Sequence, residues 1–286
     1  MTPMTRREAL KLTAGAAAAL AGAPALVAQA KKRIPIGVQL YSVRDVCGKD
    51  FDGAMKQVAE MGYEGVEFAG YYKYGNDADG LRKKLDELKL KAAGTHIGAG
   101  SFTPGSLKKT IEFHKTIGCK FLIVPGDGRF THPEKSKEYA QALTEAAAAL
   151  KAEGLWCGHH NHTGEFKKDK DTGKTYWDLF AERTSKDVVL QNDIGWSTAA
   201  GLDPVELVKR YPGRTKTAHL KAHGGKPIIG QDTVNWKGVI PALYDFGGTE
   251  WLTVEQEGYP DGKTSMECTK LSLEGLKKIL AELRYL

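Results

Sequence analysis

Short apolar runs alternate along this chain with amphipathic segments of helical spacing. The runs begin at residues 36, 65, 92, 121, 155, 188, 217 and 251, so that successive starts lie 27 to 34 residues apart. Between the runs, apolar residues recur every three or four positions, as they do in 51–61. Gly62, Gly118 and Gly154 follow three of these segments, as helix-ending glycines do. The pattern predicts eight strand–helix units, with helices over 51–61, 81–90, 107–117, 134–153, 204–210, 236–246 and 273–283.

Eight units of this size predict a single (β/α)8 TIM-type barrel over residues 31–286, because that fold typically takes about 250 residues. A doubly wound open sheet also alternates strands with helices, but it usually carries a glycine-rich phosphate loop after its first strand. The stretch Gly37–Ser42 contains no such loop. The sequence therefore favours the barrel.

The first thirty residues have the pattern of an export signal. A pair of arginines, Arg6 and Arg7, precedes a small-residue apolar run over 12–27, and Ala28-Gln29-Ala30 fits the site at which signal peptidases cleave. We therefore predict a twin-arginine (Tat) signal peptide over residues 1–30 that is removed, in preference to a membrane anchor. The expected location is the periplasm or beyond, with membrane contact only during export.

Composition and charge narrow the function classes. The chain is 41% hydrophobic and 27% charged, as expected for a globular protein with a core. The net charge of +6 falls to +4 without the first thirty residues, and the basic residues are dispersed, so we predict no nucleic-acid partner. The four cysteines form no CxxC motif. An exported protein can form disulfides, but this spacing specifies no pairing, and Cys119 and Cys157 lie in apolar runs typical of buried thiols.

Four of the apolar runs are followed by ionisable residues of the type that bind metals. Glu165, Asp193, His219 and Glu255 are separated by 28, 26 and 36 residues, about one strand–helix unit each. The C-terminal ends of barrel strands meet at one face, where active sites of this fold lie. We therefore predict that these four side chains converge on one divalent ion. Three carboxylates and one imidazole favour Mn²⁺, with Mg²⁺, Co²⁺ and Zn²⁺ as alternatives.

Each of these residues also has a purely structural interpretation. His219 alone fits a barrel-interior histidine, and Asp193 alone fits the cap of the following turn. Glu257 shares a strand face with Glu255, but it immediately precedes Gly258 and so fits a loop. We predict Glu165 and Glu255 as the catalytic pair, one removing a proton from the substrate and the other returning it.

Further polar and aromatic residues near the strand ends are candidates for contact with the substrate. His160 and His162 share a face and are either substrate contacts or hydrogen-bonding partners of Glu165. Lys221 suits an enolate or a hydroxyl group, with a surface lysine as its alternative, and Trp196 suits a sugar ring or the core. The full predicted set is Glu67, His96, His160, His162, Trp196 and Lys221.

These residues resemble those of the sugar phosphate isomerase/epimerase-like proteins of the xylose isomerase-like barrel superfamily. The resemblance spans nearly all of residues 31–286. It rests on IGVQLYSVR at Ile36–Arg44, GYEGVEF at Gly62–Phe68, HNHTGEF at His160–Phe166, DIGW at Asp193–Trp196, HLK at His219–Lys221 and VEQE at Val254–Glu257. It implies a barrel with one ion on Glu165, Asp193, His219 and Glu255, acting on a sugar or polyol. Related proteins are often dimers or tetramers, which makes a homo-oligomer an expectation.

The function predicted from these features is a metal-dependent isomerase or epimerase that acts through an enediolate. Export argues for an unphosphorylated sugar, keto-sugar or polyol, because sugar phosphates are mainly cytoplasmic. A lyase or dehydratase acting on a keto-sugar or inosose and a non-catalytic carbohydrate-binding barrel are the alternatives. A phosphodiester hydrolase like the endonuclease branch of the superfamily is disfavoured by the mild charge and the export signal.

Overall fold

Eight parallel strands close into a barrel in the order in which they occur along the chain. The computed structural model describes residues 33–286, so the predicted signal peptide lies outside the described residues. The last strand pairs with the first, which confirms the barrel and excludes the open sheet. The strands are β1 Ile36–Gln39, β2 Gly65–Phe68, β3 Lys91–His96, β4 Phe121–Val124, β5 Trp156–His160, β6 Val189–Asp193, β7 Thr217–Leu220 and β8 Trp251–Val254.

Helices surround the barrel and join successive strands. The α-helices span Arg44–Cys47, Phe51–Met61, Ala78–Glu87, Pro104–Ile117, Lys135–Ala152, Tyr176–Arg183, Ile194–Ala199, Pro204–Arg210, Trp236–Ala242 and Ser265–Glu282. A π-helical turn over Leu243–Gly247 extends the ninth helix. Single 3₁₀ turns lie at Leu40–Val43, Tyr72–Tyr74, Ala99–Phe102, Gly164–Phe166 and Pro260–Gly262.

The predicted strands and most of the predicted helices are confirmed within a few residues. Besides the four-residue helix Arg44–Cys47, two helices, Tyr176–Arg183 and Ile194–Ala199, are not among the predicted ones. The first buries Tyr176, Trp177, Leu179, Phe180 and Ala181, so its sequence shows no alternation of apolar and polar faces. The second has only six residues, too few for a periodic pattern to emerge.

Local sequence fixes where the helices begin and end. The Asp50 carboxylate accepts the Gly53 N–H at 2.9 Å and so caps the helix that begins at Phe51. That helix ends at Gly62, whose φ of +92° lies in the left-handed region that favours glycine. Thr264 and Glu267 form a reciprocal capping box at the start of the last helix.

Large side chains fill the barrel interior below the strand ends. Phe121, Ile123, Val189 and Trp251 form a buried cluster there together with Ala93. The Trp251 ring of β8 lies against Gly65 of β2, two strands along the barrel wall, and a Cβ atom at residue 65 would lie 2.7 Å from it. Glycine in this strand therefore makes room for an indole in the core.

All four cysteines are buried free thiols, as predicted for Cys119 and Cys157. Within residues 33–286, none of the helices has both the length and the apolar character that a membrane span requires.

The Gly65→Ala variant is expected to lose about 1–3 kcal/mol of unfolding free energy, because its methyl group would overlap the Trp251 ring and the Lys91 carbonyl. Urea denaturation of this variant measures the loss. Gly98→Ala is the matched control, since residue 98 is exposed and has no atom within 4 Å of a built Cβ. Equal stability of the two variants would contradict this account of the core.

Candidate metal and active site

Four strands deliver ionisable side chains to the C-terminal mouth of the barrel. His160 ends β5, Asp193 ends β6, His219 lies in β7 and Glu255 directly follows β8. Asp193 is directly paired with His219 in the strand register. Alternation along each strand points these side chains inward, and all four are buried.

One potential ligand atom from each of these four residues lies within 4.8 Å of the others, and we call this set the metal group. The Nδ1 atom of His219 is 3.2 Å from Glu255 Oε2 and 3.9 Å from Asp193 Oδ2. Asp193 Oδ1 accepts the Trp196 N–H at 2.7 Å, whereas Asp193 Oδ2 is buried without a hydrogen-bond partner. A buried carboxylate oxygen with no donor is costly. The donor set and this oxygen therefore fit a bound cation.

The protonation pattern of the metal group also suits a cation. Burial raises the pKa of Asp193 to about 7, and the nearby Glu255 charge acts in the same direction. Burial opposes the positive charge on His219, but Glu67 and Glu255 raise its pKa to about 10. Burial likewise lowers the pKa of His160 well below its ordinary value, which leaves a neutral imidazole. Protons thus compensate the carboxylates here, and a divalent ion would displace them.

Glu67 lies beneath the metal group and supports His219. Its Oε1 atom is 2.6 Å from His219 Nε2, 2.7 Å from Gln39 Nε2 and 2.9 Å from His96 Nε2. Its Oε2 atom accepts from Gln191 Nε2 at 2.9 Å. A carboxylate bound to one imidazole nitrogen fixes the ring so that the other nitrogen faces the ligand site.

This position corrects the prediction that Glu67 contacts substrate. The side chain is fully buried and its oxygens are occupied by four donors, so it lies under the site and does not reach the mouth. His96, also a predicted substrate contact, has Nε2 2.8 Å from Gln191 Oε1 and stacks on His219 at 5.1 Å. Both side chains belong to the polar layer that supports the metal group.

A second set of potential ligands overlaps the first. The rings of His96, His160 and His219 also bring their nitrogens within 4.8 Å of one another. His96 Nε2 is already bonded to Gln191 and His219 Nε2 to Glu67, however, and the unpartnered Asp193 oxygen belongs only to the four-residue group. The metal group is therefore the better candidate for an ion.

Glu165, predicted as a fourth ligand, does not join the metal group. It lies five residues beyond the end of β5, in the 3₁₀ turn Gly164–Phe166, and this turn directs its carboxylate back toward His159 and the His162 N–H. Glu165 Oε2 accepts the His162 N–H at 2.7 Å, and Glu165 Oε1 is 3.7 Å from His159 Nε2. The structure brings Asp193, His219 and Glu255 together as predicted and adds His160 in place of Glu165.

A small cavity opens above the metal group. It has a volume of about 280 Å³ and is lined by Trp196, Lys221, Glu255 and Glu257, among others. Lys221 Nζ is 3.2 Å from Glu255 Oε2, contacts the Glu257 carboxylate and lies 4.7 Å above the Trp196 ring. Ligand pockets usually span roughly 300–1,000 Å³, so this one suits a small molecule. The exposed His162 ring lies 5.6 Å from Trp196 at the same mouth.

Sequence reasoning missed several residues that build the site. Gln39 and Gln191 hold Glu67, and Asn161 binds the Asp193 backbone N–H through its Oδ1 at 2.9 Å. The available signal was the presence of amides at inward-facing positions of otherwise apolar strands. Buried amides of this kind require partners, which in a barrel lie on neighbouring strands.

The chain belongs to the xylose isomerase-like TIM barrel family, whose family model matches residues 55–279. This confirms the resemblance inferred from the motifs. A sugar phosphate isomerase/epimerase structure from Parabacteroides distasonis is 28% identical with a TM-score of 0.73, and the match covers 86% of this chain and 98% of that one. An inosose dehydratase from Geobacillus kaustophilus is 23% identical, over 81% of this chain and 88% of the relative.

A third relative carries a metal. The structure of an IolI protein with a bound zinc atom has a TM-score of 0.65 and covers 87% of this chain and 99% of its own. At 14% identity, this similarity shows the shared fold alone. The metal group described above therefore rests on the geometry of this chain.

Replacing Glu67 with Gln is expected to weaken Mn²⁺ binding about 10- to 100-fold, because His219 would lose the charged partner that orients it. Calorimetric titration with Mn²⁺ measures the change. Glu112→Gln, at an exposed helical position, is the control and should leave the affinity unchanged. Wild-type affinity in Glu67→Gln would show that Glu67 does not support the metal group.

Proposed function

We propose that this protein is a divalent-metal-dependent enzyme that removes and returns a proton beside the carbonyl of a small, unphosphorylated keto-sugar or keto-polyol. The net reaction is isomerisation or epimerisation. The observation that carries the proposal is the metal group itself, with its unpartnered Asp193 oxygen, located below a small cavity lined by Lys221 and Glu257.

His160, Asp193, His219 and Glu255 are the proposed ligands of the ion. Two carboxylates and two neutral imidazoles suit Mn²⁺ first, with Co²⁺, Zn²⁺ and Mg²⁺ as alternatives. When bound, such an ion polarises the substrate carbonyl and stabilises the negative oxygen that forms as the proton leaves.

The remaining steps fall to side chains around the mouth. Glu165 is the proposed base: burial would raise its pKa, but the contacts with His159 and the His162 N–H lower it, which keeps the carboxylate ionised. Glu255, which directly follows β8, is the proposed partner that returns the proton. Lys221 is placed to hold a substrate hydroxyl or enolate oxygen, and Trp196 to pack against the carbon skeleton.

The charge around the cavity favours an unphosphorylated substrate. Glu255 and Glu257 line it, and both contact Lys221, the cation beside them. A phosphate dianion would meet two carboxylates and a lysine whose charge they already share. A neutral polyhydroxy compound meets no such repulsion.

Dehydration of a keto-polyol is the second candidate. It is favoured by the similarity to an inosose dehydratase over most of both chains. The first step is the same removal of a proton beside a carbonyl. In the second step the hydroxyl on the neighbouring carbon leaves as water, with a proton supplied by Glu165 or Glu255.

The proposal also covers where the protein acts and how it assembles. The twin-arginine pattern supports folding and metal loading in the cytoplasm, followed by passage to the periplasm. A homo-oligomer remains the expected assembly.

Mn²⁺-loaded protein incubated in D₂O with inosose, D-fructose and D-tagatose is expected to incorporate deuterium into at least one of them. Mass spectrometry and NMR distinguish the outcomes: an epimer or isomer carrying one deuterium supports the first candidate, and a product lighter by one water supports the second. Glu165→Gln should lower the rate about 10²- to 10⁴-fold, the usual contribution of a general base, whereas Glu112→Gln should not.

Sugar binding without exchange in the loaded wild type would contradict both enzymatic candidates and favour a carbohydrate-binding protein.

A further inference from the structure

We infer that His159 is a positioning residue that holds Glu165 beside the metal group and keeps it from becoming a ligand. This inference rests on the proposed function, since it assigns a division of labour among the carboxylates of that same site. Nothing in the motif pattern singled out His159 from its two histidine neighbours.

His159 occupies the opposite face of β5 from His160. Alternation along the strand turns the His160 ring into the barrel and the His159 ring outward, toward the helix Lys135–Ala152. There it is fully buried and stacked on Phe130 with ring centroids 4.1 Å apart. Its Nδ1 atom is 2.8 Å from the Tyr139 hydroxyl. Packing and this hydrogen bond fix the ring in one orientation.

The second ring nitrogen of His159, Nε2, is the atom that faces Glu165. His159 Nε2 is buried without a hydrogen-bond partner, and it points at Glu165 Oε1, 3.7 Å away. Tyr139 keeps its proton, because burial raises the pKa of its hydroxyl, and it therefore donates to Nδ1. In the neutral ring the single proton then lies on Nε2 and faces the Glu165 carboxylate. The opposite tautomer would aim a lone pair at that negative charge.

Glu165 is thus positioned by one hydrogen bond and by one imidazole nitrogen that faces it. Its Oε2 accepts the His162 N–H, and its Oε1 faces His159 Nε2. Asp127, the other carboxylate near His159, is bound by Arg129 at 2.7 and 2.8 Å. Glu165 is therefore the carboxylate that His159 Nε2 faces.

The position of Glu165 relative to the ion decides whether it can act as a base. A free carboxylate close to a divalent ion tends to become a ligand, since carboxylate oxygens are preferred donors for such ions. A ligand carboxylate has its lone pairs engaged and is a weaker base. By holding Glu165 outside the metal group, His159 leaves Asp193 and Glu255 to bind the ion and Glu165 to accept the proton.

The test uses the visible absorption of the Co²⁺-loaded full-length protein, which reports the number of ligands and requires no substrate. Glu165→Gln should leave the wild-type spectrum unchanged. His159→Asn keeps an acceptor for Tyr139 but lacks the Nε2 donor, so Glu165 should swing onto the ion and the absorption should weaken as coordination increases. His159→Gln restores a donor at the Nε2 position and should restore the wild-type spectrum.

Two further variants make the result specific. The double variant His159→Asn/Glu165→Gln should regain the wild-type spectrum, because the added ligand is gone. Tyr139→Phe, the mildest change, should shift the spectrum in the same direction as His159→Asn and serves if that variant does not fold. His132→Asn, at an exposed loop histidine, is the control.

A changed spectrum in Glu165→Gln, or an unchanged one in both His159→Asn and Tyr139→Phe, would overturn the inference while leaving the proposed metal site intact. Absence of Co²⁺ binding in the wild type would instead overturn the metal site, and with it this inference. The two failures are thereby distinguished.

Discussion

The site depends on holding two buried carboxylates, Asp193 and Glu255, close together at the end of the barrel. Like charges at this separation repel each other strongly in a medium from which water is excluded. The protein compensates with His219 between them and Lys221 beside them, and still leaves one Asp193 oxygen without a partner. That uncompensated position is what a divalent cation would satisfy, and it explains why the mouth of the barrel is polar when its interior below is not.

The polar layer under His219 follows from the same constraint. Glu67, a fully buried anion, is tolerable only because donors from four strands converge on it, and this convergence requires a closed barrel. Below it, the Trp251 cluster fills the interior with apolar volume. Along its axis the barrel thus has an apolar layer, then a hydrogen-bonded layer, then a mouth whose side chains could hold an ion. Each layer fixes the position of the next.

Strand spacing and the position of ionisable residues at strand ends were enough to predict the barrel and three of the four members of the metal group. These features can be recognised in the sequence because consecutive strands along the chain are neighbours in a parallel barrel, with their ends side by side. The direction of Glu165 could not be predicted, since it depends on the turn that follows β5 and on His159 behind the strand. Likewise, the role of Glu67 depends on side chains more than 100 residues away, such as Gln191 and His219, which only the closed register brings to it.

A crystal structure of the protein soaked with Mn²⁺, with anomalous data collected for manganese, tests the central claim most directly. The account predicts one anomalous peak in the barrel mouth, about 2.0–2.2 Å from ligand atoms of His160, Asp193, His219 and Glu255, the range of nitrogen and oxygen ligands to zinc. Glu165 should lie outside that distance. An empty mouth at saturating Mn²⁺, or a peak bound by other residues, would contradict the account.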